Sequence, residues 1–182
     1  MSILKDFDLM PGDAILTYSD SWLAKAIFWF SKWHEYKKDK NKISHVAIFL
    51  KYENGVPIIA EAENRVVIHS GECYNNKKYI IHVARPILKM SQMKADQLEA
   101  YMKGKAGEGY AYFQIVAIAF QKLFGLHKIG DWDKDAVICS ELYCEVFEDL
   151  FAYKICPGKL PADINPLEIY ESKNMEKINP RI

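Results

Sequence analysis

The chain has 182 residues, half of them hydrophobic, and its 24 Lys and Arg are balanced by 24 Asp and Glu. By general scaling such a length buries about 70% of the unfolded surface, enough for a single cored domain over residues 1–182. Zero formal net charge and the lack of a glycine-rich phosphate loop argue against nucleic acid as a partner.

Met1-Ser2-Ile3-Leu4-Lys5-Asp6 has no apolar stretch behind a basic start, so the expectation is a cytoplasmic protein, with signal-independent export as the alternative. Gly12-Asp13-Ala14-Ile15 opens a first strand. From Ser19 to Tyr36, Trp22, Leu23, Ala26, Ile27, Phe30 and Trp33 suit one helix face, and Lys25, Lys32 and Glu35 the other. This helical insertion is expected to pack on a sheet. Phe28 and Trp29 add a second use, a peripheral lipid contact. The run from Lys37 to Lys42 reads as a solvated turn.

Ser44-His45-Val46-Ala47-Ile48-Phe49-Leu50 is apolar at both parities after the histidine, which predicts a central strand buried on both faces. His45 stands at its entrance, where an imidazole is held rigidly. Asn54-Gly55 is a hairpin signal, and Val56 to Ala62 is the returning strand. A two-residue turn there puts Asn64 opposite His45, whereas pairing His45 with Glu61 centres the turn on residue 53. One bulge is expected to reconcile them. Glu61 is the preferred carboxylate partner and Glu63, at the same parity, the reserve. His34, His69, His82 and His127 read as surface or capping residues.

Met90 to Met102, with Ser91 and Asp96 early, predicts a helix. Tyr110 to Leu126 predicts a buried one, interrupted by Gln114, Gln121 and Lys122 and short of a membrane span. Val137-Ile138-Cys139-Ser140-Glu141-Leu142 then starts an amphipathic helix, in which Leu142, Val146 and Leu150 recur at i, i+4 and i+8. A helix start presents unpaired N–H groups and a partial positive charge, which favour a thiolate. Spacing alone also fits a buried structural cysteine. Pro157, Pro161 and Pro166 mark an irregular crossing, and a loose tail is expected over about 172–182. Cys73, Cys139, Cys144 and Cys156 form no Cys-x-x-Cys pair, so neither a zinc site nor a disulfide framework is indicated, and a reducing setting is the simpler assumption.

Cys139-Ser140-Glu141-Leu142, Gly12-Asp13-Ala14-Ile15, His45-Val46-Ala47-Ile48 and Glu61-Ala62 together resemble the islands of the papain-like cysteine peptidases of the NlpC superfamily. Their order here, strands first and cysteine helix last, resembles the circularly permuted YaeF/YiiX-like amidases. The resemblance implies an α+β, permuted papain-like fold, with a central antiparallel sheet or partial barrel packed against helices and the cysteine helix C-terminal. It implies Cys139 as nucleophile, His45 as general base and acid, and Glu61 as orienter. Gly107-Glu108-Gly109-Tyr110 looks like a Gly-x-x-Tyr element, which would put Tyr110 near the nucleophile, in contact with substrate. Ala47 and Glu141 depart from the family's glycines, and Glu141 adds negative charge near the thiol.

The implied activity is that of a thiol hydrolase, an amidase or peptidase working through an acyl-thioester on cell-wall peptides or related amide conjugates, with no metal or other cofactor. Two alternatives are a lipid acyltransferase or deacylase resembling lecithin-retinol acyltransferase, and a non-catalytic binding module that keeps the cleft. The retention of Cys, His and carboxylate disfavours the last.

Overall fold

A computed structural model describes residues 3–19, 43–62, 65–75, 79–107 and 139–181. Apart from Ser19, which ends a strand, the predicted helical segments over 19–36 and 110–126 lie outside this set.

Six strands form one open sheet: β1 (Ala14–Ser19), β2 (His45–Glu53), β3 (Val56–Ala62), β4 (Val66–Ser70), β5 (Tyr79–Pro86) and β6 (Met175–Ile178). Their order is β4-β3-β2-β1-β5-β6, and every neighbouring pair is antiparallel. Among the described residues three α-helices accompany it: α1 (Gln92–Lys105), α2 (Cys139–Phe151) and α3 (Pro166–Glu171). This is an α+β arrangement in which the cysteine helix follows five of the six strands.

The two parities of β2 serve two cores, which is why its sequence is apolar throughout. Val46, Ile48 and Leu50 pack with Leu16, Ala60 and the helical residues Leu98, Met102, Leu142, Tyr143, Val146 and Phe147. Ala47 and Phe49 join Ile15, Ile59 and Val83 on the other face, covered by Leu4 and Tyr74 from two 3-10 turns, Ile3–Asp6 and Gly71–Asn75, and by Phe7 just after the first. Covering both faces leaves β2 with only its last residues exposed.

Local chemistry fixes the connections. Asn54 and Gly55 both take positive φ, 50° and 74°, as a twist-compatible two-residue hairpin turn requires. One register shift does occur, between Phe49 and Lys51, and it sets Glu61 across from Ala47, two residues from His45. Gly12 has φ 89°, and a Cβ there would meet Met90 Cε at 2.7 Å. Ser91 caps α1, its side chain accepting from the Lys94 amide, and Asn165 and Glu168 form a capping box on α3. Asp13, fully buried, accepts two bonds from the Arg85 guanidinium, each 2.8 Å, and one from the Met10 amide.

The expectation of a loose end beyond Ser172 gives way to β6, which pairs with the edge of β5 from Val83↔Ile178 to Pro86↔Met175. Its Met-Glu-Lys-Ile sequence carries little strand signal of its own, and the free edge of β5 supplies the ladder. Among the described residues no helix is long and apolar enough to cross a membrane.

Candidate functional site

Cys139 is the first residue of α2 and only 4% exposed. Leu142, Val146 and Phe147 seat the helix on the sheet, and the Tyr143 hydroxyl donates to the Gly12 carbonyl at 2.8 Å, tying the first turn to the start of β1. That placement brings the sulfur close enough to His45, the first residue of β2, for the thiol and the imidazole to interact. Solvent reaches the pair on the imidazole side, where His45 is 24% exposed.

Glu61 completes the line. The β2–β3 register puts it on the same face as His45, one diagonal step away, a distance that long side chains cross. His45 Nε2 lies 2.6 Å from Glu61 Oε2. With Nε2 committed to the carboxylate, Nδ1 is the ring nitrogen left for the thiol. Glu63 and Tyr110 fall outside the described residues, so the reserve carboxylate and the expected substrate-binding tyrosine have no structural account.

Charges in the site reinforce one another. Burial pushes the Cys139 thiol up, but the His45 charge and hydrogen bond, together with the N–H groups of Val46 and Ser140, bring it below its ordinary value. Burial likewise works against a charged His45; the sulfur's charge and hydrogen bond, then those of Glu61, hold it well above its ordinary 6.5. Burial of Glu61 is outweighed by hydrogen bonds from His45 and His69, and its carboxyl sits well below the usual range. Both shifts run in the direction that favours an ionised thiol beside a protonated imidazole.

Two partners of Glu61 escape the sequence reading. His69, expected as a surface or capping residue, instead places Nε2 2.6 Å from Glu61 Oε1. Glu61 faces Val67 in the β3–β4 ladder, so His69, two residues on, shares its face. Tyr74, from the 3-10 turn, donates a short hydrogen bond to Oε2. The buried carboxylate is therefore held on both oxygens. His69 is pushed up to about 10, first by its hydrogen bond to Cys73 and then by Glu61. Glu61, His69 and Cys73 also offer one metal-ligating atom each, all within 4.8 Å of one another. By contrast, His82 packs its ring on Tyr170, with centroids 5.1 Å apart, and takes no part.

No protein-family model matches the sequence, and no curated protein matches it significantly. Five solved chains match in structure. Among them is the crystal structure of the metalloprotein YiiX from Escherichia coli O157:H7, a DUF1105 protein, with a TM-score of 0.65 at 15% identity, covering 94% of this chain and 97% of that one. The chain thus has a YiiX-like fold over nearly its whole length.

Proposed function

We propose that this protein is a cysteine-dependent hydrolase, an amidase or peptidase, with Cys139 as nucleophile, His45 as general base and acid, and Glu61 as orienter. The observation that carries this reading is the convergence of three groups: a buried Cys139 whose thiol interacts with His45, and a His45 Nε2 that lies 2.6 Å from Glu61 Oε2. The thiolate attacks a carbonyl carbon, and His45 passes its proton to the leaving amine as the acyl-thioester forms. Water, deprotonated by His45, then attacks the thioester and releases the acid and the thiol. The Cys139 N–H at the helix start is the proposed oxyanion donor, a contribution of about 3 kcal/mol in other acyl-transfer enzymes.

The resemblance to permuted papain-like amidases points to amide substrates, with cell-wall peptides or related amino-acid conjugates first. YiiX is described as a metalloprotein. In this chain the donor set suited to a metal is Glu61, His69 and Cys73, and no step of the proposed hydrolysis passes through it. Incubation of the protein with muropeptides and, separately, with phospholipids, read by mass spectrometry, tests the reading. Amide cleavage that disappears with Cys139→Ala is expected. Acyl transfer from phospholipid alone would replace the amidase with a lipid acyl enzyme, and turnover persisting in Cys139→Ala would remove the thiol mechanism.

A further inference from the structure

Cys73 is the one member of this cluster that the proposed hydrolysis leaves idle. His69 and Tyr74 suffice to hold Glu61 in place, and the exposed thiol adds nothing to that task. Yet a carboxylate oxygen, a ring nitrogen and the Cys73 sulfur converge within 4.8 Å. Oxygen, nitrogen and thiolate ligands together are the donor set of zinc and of similar thiophilic divalent ions.

We propose that Glu61, His69 and Cys73 bind one Zn²⁺ or a similar divalent cation, at a site distinct from the Cys139 thiol. The three residues supply a three-ligand set with the fourth position open to water. In a tetrahedral zinc site the ligand atoms lie about 3.3–3.6 Å apart, given metal–ligand bonds of roughly 2.0–2.3 Å. The His69–Glu61 contact of 2.6 Å must open slightly and Cys73 must swing inward. Both movements are available, because His69 is 33% exposed and Cys73 sits on the surface. Glu61 need not move, since Oε2 is already fixed by His45 and Tyr74 and Oε1 is the oxygen facing His69. Binding exchanges protons for the cation: the Cys73 thiol proton and the proton shared by His69 and Glu61 leave to solvent. The solvent-facing thiol and imidazole give the ion its entry path.

The site stands whether or not Cys139 is a nucleophile, so it is tested in the Cys139→Ala protein. Titration with Co²⁺, an absorbing surrogate for zinc, is expected to give one equivalent of binding with a thiolate-to-cobalt charge-transfer band that Zn²⁺ displaces. Adding Cys73→Ser should abolish that band, and adding His69→Ala should weaken binding at least tenfold. X-ray absorption on the zinc-loaded Cys139→Ala protein, which needs no second substitution, should show one sulfur per zinc. No cobalt band in Cys139→Ala, a band that survives Cys73→Ser, or a zinc shell with no sulfur or with two overturns the proposal; the last would point to the neighbouring buried thiols Cys144 and Cys156.

Discussion

Glu61 is flanked by two histidine and cysteine pairs, and their surroundings differ more than their composition. On one side His45 meets a cysteine that is 4% exposed, seated at the first turn of α2 and supplied with backbone N–H groups. On the other, His69 meets a cysteine on the surface, on a five-residue 3-10 turn. The same residue types therefore suit two uses. A sulfur held in a fixed direction by a helix and a strand can attack a bound carbonyl, whereas an exposed sulfur on a short turn can adapt to an ion's geometry. Under the two proposals the supporting element assigns the role, and the shared carboxylate serves both.

Replacing the inner thiol should have the largest effect. Cys139→Ala is expected to lower kcat/KM by about 10⁴-fold or more, as removal of a nucleophile does in other triads. With wild-type protein, a substrate trapped by acid quench should appear as an acyl adduct on the Cys139 peptide. An adduct on Cys73 would reverse the roles of the two sides.

Next comes the carboxylate that joins them. Glu61→Gln keeps the shape and removes the charge, and a loss of roughly 10⁴-fold in turnover is expected by analogy with the buried aspartate of serine-protease triads. Its signature is in the pH profile. Cys139 lies below its ordinary value and His45 above, so activity should rise as the thiol ionises and fall at higher pH as the imidazolium loses its proton. Without the Glu61 charge the alkaline limb should move to lower pH. A limb that stays in place would show that Glu61 does not orient His45.

Tyr74→Phe removes one hydrogen bond to a buried anion and should cost about 1.5–3 kcal/mol of folding stability, measured by urea unfolding. His69 is a third exposed, so solvent screens its ion pair and the smallest effect is expected there. Its folded value, about 10, lies above its ordinary 6.5, so its contribution to stability is complete below 6.5 and is lost as pH rises through about 10. Wild type should therefore lose more stability across that interval than His69→Gln, and parallel unfolding curves would contradict the coupling.

The sequence makes legible those features that depend on near neighbours. The helix after Met90, the Asn54-Gly55 turn and the double-sided apolar run after His45 all follow from a few adjacent residues. Glu61 was within reach because one hairpin carries it back toward His45. His69 was not, since its contact depends on the β3–β4 register, which the intervening polar residues do not advertise. Metal-site rules look for paired cysteines and histidines at fixed spacing, so they pass over a set that mixes one residue from β3, one from β4 and one from a turn. β6 is invisible for a similar reason, being a strand by virtue of its neighbour's open edge.

That last strand also brings distant parts of the chain together. Beyond β6 the Arg181 amide donates to the Asp6 carbonyl at 2.5 Å, and its guanidinium pairs with the Asp8 carboxylate. Segments 175 residues apart (181 − 6) in sequence are thus hydrogen-bonded neighbours. Splicing them with a short peptide and cutting the backbone between Ile87 and Ser91 would yield a protein that starts with α1 and the thiol-bearing helix and ends with β5, downstream of the His45 hairpin. Such a rewired chain should refold to the same melting temperature within a few degrees, because no long-range pairing in the sheet would have to be remade.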